Sequence, residues 1–323
     1  MKRRNFIGAL AGLPAFWPVI SAAQQSSISR IGVLSQDVQP GLLETFRDQL
    51  EKLGYQEGKN IAIDVRNAAG RNELLAGLAK ELLLLKVDVI VAVNTPAAQA
   101  AKKATKTIPI VMMRVADPVK SGLVNSLARP GGNVTGLSFM PDALGPKGVE
   151  LLTQILPKIR HMAALYRGDN AGAVVIVDEV VRRSEPLELQ FVRVPVRNPS
   201  DYAQAFETAS HVKAEALFVM DDGAITKHRR EILDLAAKHR LPVVSIYSDF
   251  AQAGGLIAYG PNLNVIYRHA ADYVVKLIEG HRPGELPIEQ PVSFNLVINL
   301  KTAKALGIVV PQSVLIRADE VIE

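Results

Sequence analysis

Val87-Asp-Val-Ile-Val-Ala-Val93 runs straight into Asn94-Thr95-Pro96-Ala97 and an alanine-rich segment that ends near Ala104. The first part is apolar at every position but Asp88 and shows no alternation. That is the pattern of a parallel strand covered on both faces, not of a strand with one wet side. Thr95 stands where a helix wants its N-cap, and Pro96 stands at the first helical position. The segment therefore reads as strand, turn and helix. The free amides of Ala97 and Ala98 are expected to face out of the positive end of the helix dipole, a seat suited to a carboxylate.

The same unit recurs in both directions from this point. Upstream lie strands over 30–35 and 61–65, each followed by a helical pattern, 42–53 and 73–85. Downstream come a strand over 108–113, a short helix from Pro118 to Leu127 and a strand over 133–138. The pattern then starts afresh with a helix over 147–157 and strands over 162–166, 187–194, 216–220 and 242–247. Helices over 174–183, 201–212 and 225–239 separate them, and the tail holds a helix over 264–278, a strand over 292–298 and a helix over 302–306. Repeated alternation predicts α/β architecture with parallel sheets and right-handed crossovers. Two successive sets predict two similar doubly wound lobes. The Gly- and Pro-rich stretch over 128–146 is expected to be an extended crossing between them, with 254–261 and 280–291 as two more. Three crossings make both lobes discontinuous: 28–137 plus about 262–287 in the first, and 138–261 plus about 288–323 in the second.

Composition narrows the classes. The 323 residues are 48% hydrophobic and 21% charged, which excludes a disordered, collagen-like or polytopic membrane protein. The absence of cysteine removes disulfides, thiolate metal sites, a cysteine nucleophile and a lipid anchor on an N-terminal cysteine. Met1 to Ala23 has the parts of an export signal: Lys2-Arg3-Arg4, an apolar stretch from Phe6 to Ile20, and Ser21-Ala22-Ala23 before a mature start at Gln24. Arg3-Arg4-Asn5-Phe6 matches the core of a twin-arginine signal, and signals for the general secretory route also carry arginine pairs, so both routes stay open. The apolar run contains Pro14 and Pro18 and falls short of the roughly 20 residues that span a bilayer. Without this leader the charge falls from +5 to +2, with no basic–aromatic interleaving, so no nucleic-acid partner is expected. A periplasmic location is.

Ligands of open α/β sheets sit beyond the carboxyl ends of the strands. That rule selects Ser35 and Gln36, then Asn94, Thr95, Pro96 and Ala97, then Asp117 and Ser138. In the second half it selects Tyr166, Asp169 and Asn170, then Asp221 and Asp222, then Ser248 and Asp249. Acids outnumber the cations Arg114 and Arg167 in these loops, and acids facing one helix N-terminus suit a zwitterion such as an amino acid. No HExxH, GxSxG, GxxxxGK[ST] or strand-following GxGxxG is present. The six histidines lie on helical stretches or at element ends. No catalytic residue, metal site or cofactor is expected, and Asp221-Asp222 reads as one ligand contact and one helix cap.

Several stretches together resemble a known family. Ser126-Leu-Ala-Arg-Pro-Gly-Gly-Asn-Val-Thr-Gly136, Ile108-Pro-Ile-Val111 with Ala116-Asp-Pro118, Gly254 to Gly260, Pro291 to Gly307 and Arg317 to Ile322 look like the tryptophan/tyrosine-type ABC transporter substrate-binding proteins. The resemblance covers 28–323. It implies the type I periplasmic-binding (Venus flytrap) fold, a monomer that captures a small solute in the interlobe cleft and hands it to an ABC permease. The solute it implies is an amino acid or related carboxylate, aromatic ones included. It also implies that Thr95-Pro96-Ala97 is the carboxylate-binding turn, that Asp117 and Ser138 face the cleft, and that Asp222 meets an ammonium. One departure is Tyr166-Arg-Gly-Asp-Asn170, where the family usually shows an asparagine–proline turn. Arg167 there is expected to favour a more acidic ligand and puts an aromatic amino acid in question. Two other classes are compatible with the fold: a sensor that presents a solute to a receptor kinase, and an exported enzyme, for which the sequence shows no nucleophile, base or metal set.

Overall fold

A computed structural model describes residues 28–323 apart from Met140 and Asp221. The export signal expected over 1–23 and the first member of the Asp221-Asp222 pair lie outside the described residues.

The first half folds as β1 (Ser29–Ser35), α1 (Pro40–Lys52), β2 (Ile61–Asn67), α2 (Leu75–Leu84), β3 (Val89–Val93), α3 (Thr95–Ala104), β4 (Ile110–Val115) and β5 (Val134–Ser138). Its five strands pair in parallel in the order β2-β1-β3-β4-β5. The second half begins with α4 (Pro141–Ile155), β6 (His161–Arg167), α5 (Ala171–Ser184), β7 (Gln190–Val196), α6 (Tyr202–His211) and β8 (Ala216–Met220). It continues with α7 (Gly223–Lys227), α8 (Arg229–Lys238), β9 (Val243–Ser245), α9 (Ser248–Gln252) and β10 (Ile257–Pro261). The remainder is α10 (Leu263–Ile278), β11 (Phe294–Asn299), α11 (Leu300–Leu306), α12 (Gln312–Leu315) and β12 (Glu320–Ile322). The second sheet runs β7-β6-β8-β9-β10-β11-β12, with only the β10–β11 pair antiparallel. Its first five strands repeat the order of the first sheet. Both lobes are doubly wound, and each has its switch point between its first and third strands, β1/β3 and β6/β8.

β3 shows why these strands read as unbroken apolar runs. Val89, Val91 and Val93 point into the core shared with α1 and α10, while Ile90 and Ala92 point into the core under α2 and α3. Alternate side chains thus meet different helical layers, and all five are buried. Each fully buried valine or isoleucine stabilises the fold by roughly 1.5–3 kcal/mol relative to exposure.

The chain passes between the lobes three times. β5 completes the first sheet, and α4, which follows it, packs on α5, β9 and β10. β10 lies in the second sheet, yet α10 returns to pack on α1, β3, β4 and β5. Asn262 marks this second passage by capping α10, its side chain accepting from the amides of Asn264 and Val265. The chain after α10 runs beside β5, where Glu289 N–H donates to Gly136 O (3.0 Å) and Ser138 N–H to Glu289 O (2.9 Å). It then enters the second sheet as β11.

The sequence pattern does not predict the short elements α9, α12 and β12, and three expected elements take another form. The segment from Pro118 to Leu127 is a series of turns, because Gly122 takes a left-handed φ of +69° and Asp117 Oδ1 accepts from the amides of Val119 and Lys120. The helix expected over 147–157 starts at Pro141, so 128–146 holds a turn, β5 and the first turns of α4 and is not one extended crossing. Gly145 serves there as clearance: a Cβ would stand 2.2 Å from Val180 Cγ2 on α5. The single helix expected over 225–239 is two, α7 and α8, parted at His228.

Gly136 holds β4 and β5 together. Its φ is +124°, and a Cβ would lie 2.1 Å from Met112 O. Gly136→Ala is expected to cost about 2–4 kcal/mol, from left-handed strain plus a displaced strand. Urea unfolding followed by circular dichroism measures it, and an unchanged midpoint would contradict this account of the strand pairing.

Candidate functional site

The carboxyl ends of β3 and β4 depart from ideal backbone together. Asn94 has φ +78° and Arg114 φ +58°, and the Asn94 N–H donates to Met113 O at 2.9 Å. Between Met112 and Val115 the β4–β5 register shifts by one extra residue on β4. Such bulges re-aim a side chain. A left-handed conformation at a residue other than glycine costs about 1–3 kcal/mol and persists only where its surroundings enforce it. Here the result is that Arg114, 4% exposed, enters the space between the lobes. Its guanidinium carbon lies 4.4 Å from the ring centroid of Tyr247, and its Nε lies 3.4 Å from the Tyr247 hydroxyl. Tyr247 follows β9 in the opposite lobe. Burial pushes the Tyr267 phenol of α10 above its ordinary pKa, with the Arg114 charge opposing that rise. Burial likewise raises the Asp37 carboxyl, and Lys227, Asn67 and Arg114 offset part of the effect.

Gln36, at the end of β1, is fully buried and joins the lobes. Its Nε2 donates to Asn72 Oδ1 (2.8 Å) and to Asp222 Oδ2 (3.2 Å). Its Oε1 accepts from Asn94 Nδ2 (3.1 Å) and from the Gly223 amide (3.1 Å). A primary amide has two donors and two acceptor sites, and all four are used. Asp222 is equally engaged. Oδ1 caps α7 through the amides of Ala224 and Ile225, and Oδ2 also accepts from Asn170 Nδ2 (3.0 Å). Asn170 in turn caps α5 through its Oδ1.

The rim carries a second link between the lobes. Arg167 donates to Asp169 through Nε (2.7 Å) and Nη2 (2.5 Å), and its Nη1 approaches Gly70 O at 3.4 Å. Asn72 Nδ2 donates to Asp169 Oδ2 (3.2 Å). Burial works against both charges of this pair. Mutual hydrogen bonding outweighs it, holding the Asp169 carboxyl below its usual range and Arg167 above its own. The expectation that Arg167 favours an acidic ligand is therefore corrected, because Asp169, two residues on, takes up its charge.

Of the residues singled out in the sequence, Gln36, Asn94, Thr95, Asn170 and Asp222 come together in and around one interlobe cavity, whose apolar wall is Phe139, Ile176, Met220 and Tyr247. Thr95 does not cap α3. The N-cap is Asn94, whose side chain serves Gln36 instead, and Pro96 and Ala97 occupy the first turn. Ser35 binds the Asp37 carbonyl beside the cluster. Asp117, Ser138, Tyr166, Ser248 and Asp249 stand apart. Asp117 caps a turn and faces Lys120, Ser138 bonds the carbonyl of Phe139, and Tyr166 packs in the core. Ser248 opens α9 beside a separate polar cavity of about 220 Å³ near Asn262. Arg114, named in the sequence only as a loop cation, is the main addition, since nothing in its local residue types announces the left-handed turn that exposes it to the cleft. Among the described residues no group of three or more histidine, aspartate or glutamate side chains is placed to hold a metal ion. No described helix is long and apolar enough to cross a membrane.

The lobes meet closely. The cavity measures about 10 Å³, and a Cβ on Gly172 would lie 2.4 Å from Thr95 Oγ1 across it. Two variants test this apposition. Gly172→Ala, a tolerated change in the first turn of α5, and Gln36→Leu, which leaves four buried polar partners unmatched at roughly 1–3 kcal/mol each, are both expected to open the cleft. Small-angle X-ray scattering reads the outcome as a larger radius of gyration than wild type, and unchanged scattering from both overturns it.

Comparison with known proteins agrees with this geometry. A profile of the family described as ABC transporter substrate binding protein matches residues 28–322. The chain is 31% identical over 262 residues to a tyrosine-binding protein of Clostridioides difficile (strain R20291), covering 81% of this chain and 75% of that one. Among solved structures it resembles an ABC domain in complex with L-Trp from Streptococcus pneumonia, with TM-score 0.85, 28% identity and coverage of 92% of this chain and 100% of the other. A ligand-free, open substrate-binding protein with adhesive properties from Clostridium difficile matches at TM-score 0.66, also with 28% identity, over 91% of this chain and 99% of that one. At equal identity the fuller match is to the ligand-bound structure, in keeping with the direct contacts between lobes.

Proposed function

The chain belongs to the ABC transporter substrate-binding protein family, and from that membership we propose that it is the periplasmic solute-receiving component of an importer, which closes over an amino acid or related carboxylate and delivers it unchanged to an ABC permease. The observation that carries this reading is the convergence of buried polar groups from both lobes, Gln36, Asn94 and Thr95 from one and Asn170 and Asp222 from the other, at the carboxyl ends of two matching sheets. The first turn of α3, with Thr95, Pro96 and Ala97, is the seat for the solute carboxylate, where the helix dipole favours an anion. Asp222 Oδ2, to which Gln36 and Asn170 donate, is the acceptor for the ammonium. The apolar wall of Phe139, Ile176, Met220 and Tyr247 suits an aromatic side chain. The ligands printed for two relatives, tyrosine and tryptophan, support that choice.

Mechanistically the protein is a jaw. Residues 28–137 with about 262–287 move against 138–261 with about 288–323 around the three passages between them. Contacts that a solute makes to both lobes exist only in the closed form, so binding shifts the population toward it. Residues 1–23 direct export and are removed near Ala23. The mature chain acts as a monomer, with no chemistry of its own.

Binding to the native state alone adds stability, about 2.7 kcal/mol at a ligand concentration of 100 Kd. A thermal-shift screen of the mature chain against L-tyrosine, L-tryptophan, the other amino acids and a set of carboxylates is expected to give a concentration-dependent rise in Tm for a narrow subset. Silence across the whole panel would sink the proposal.

A further inference from the structure

The cavity between the lobes is lined by one buried charge from each, and the two are opposite in sign. Arg114 comes from lobe 1 and Asp222 from lobe 2, and both line the same cavity with 4% and 3% exposure. Arg114 reaches it only through a bulge and a left-handed backbone at the end of β4, directly beside the strand end that launches α3. The N-cap residue of that helix, Asn94, turns its side chain to Gln36, so no side chain caps the first turn. A fixed cation and a helix N-terminus thus sit on adjacent strand ends and aim into one space. Each favours an anion, and a guanidinium adds a planar fork that matches a carboxylate. Tyr247, reaching over from the other lobe, lies against the guanidinium with its ring face and meets Nε with its hydroxyl, while Tyr267 and Asp37 of lobe 1 also interact with the Arg114 charge, so the guanidinium is held in place from both lobes.

We propose that Arg114 is the specificity-determining residue of the cleft: with the first turn of α3 it holds a carboxylate of the solute, so the site takes acids and rejects the amines that correspond to them. Tyr247, besides its place in the apolar wall, positions Arg114. This assignment rests on the solute-binding reading above and narrows it, since the anionic group becomes obligatory and the ammonium accessory.

The test uses the mature chain and three probes with one ring: L-tyrosine, tyramine, which lacks the carboxylate, and 3-(4-hydroxyphenyl)propionate, which lacks the ammonium. Titration calorimetry on wild type is expected to show tyramine at least about 100-fold weaker than L-tyrosine, while the propionate loses less, as a hydrogen-bonded ion pair of this kind commands. Arg114→Met is expected to weaken L-tyrosine and the propionate by about 100-fold and to leave tyramine within a few-fold of its wild-type value. Arg114→Lys keeps the charge and the same left-handed backbone, guards against a folding defect, and is expected to lose about tenfold on the acids alone. Tyr247→Phe should lower affinity for the acids more than for tyramine. A wild type that binds tyramine as tightly as L-tyrosine, or Arg114 variants that weaken acid and amine alike, overturns the assignment and leaves the solute-binding reading intact. A wild type that binds none of the three, but is stabilised by other solutes carrying no carboxylate, also overturns it. Loss of binding to every compound in both panels overturns the two together.

Discussion

A buried primary amide that must find four partners dictates how the lobes meet. The Gln36 carboxamide draws two partners from its own lobe, Asn72 and Asn94, and two from the other, Asp222 and the Gly223 amide. A polar group without partners in a low-dielectric interior is costly, so the amide favours apposed lobes or full hydration and little in between. The seam around it combines these hydrogen bonds with apolar contacts among Phe139, Ile176, Met220 and Tyr247. Separating such a surface exchanges protein partners for water at modest net cost. That is the property a jaw needs, because a small solute has to tip the balance with only a few contacts of its own.

Two left-handed residues, Asn94 and Arg114, stand side by side where the adjacent strands β3 and β4 of lobe 1 end. The Asn94 N–H donates to the carbonyl of Met113, in the peptide that leads into Arg114, so the departure of one supports the departure of the other. The close approach of Gly136 to Met112 braces the same place from the β5 side. A rigid sheet therefore presents a precise charge to a gap whose far wall belongs to a movable body. Position is set by the scaffold and access by the hinge, and the two tasks are carried by different residues.

The alternation of strands and helices was legible because strands such as β3 bury both faces and so carry no polar interruptions. The doubling of the pattern exposed the two lobes for the same reason. Small residues misled: Gly145 and Pro146 read as breakers, whereas Gly145 is clearance for α5 and the helix runs through both. Strand ends pointed to Gln36, Asn94, Asn170 and Asp222, and these four lie in or beside the interlobe cavity because topology brings such ends together. Their partners were hidden, because hydrogen bonds between residues about 190 positions apart leave no local pattern. Arg167 was readable in principle, with Asp169 two residues away to cancel it. Arg114 was not, for no glycine or asparagine flags its left-handed turn.

The order in which the chain is made meets an obstacle in α10. Its buried face, from Ile266 and Tyr267 to Val274 and Leu277, seals α1 and the central strands of the first sheet, yet it is encoded after all but the tail of the second. A nascent polypeptide that has emerged as far as Pro261 owns every strand of its first sheet and still lacks the lid on one side of it. Such a half-clad sheet is sticky and slow to settle, since its last contacts span more than two hundred residues. Synthesis thus reaches a stable first lobe only when it is nearly over, and until then the unfinished molecule is something for a chaperone to hold.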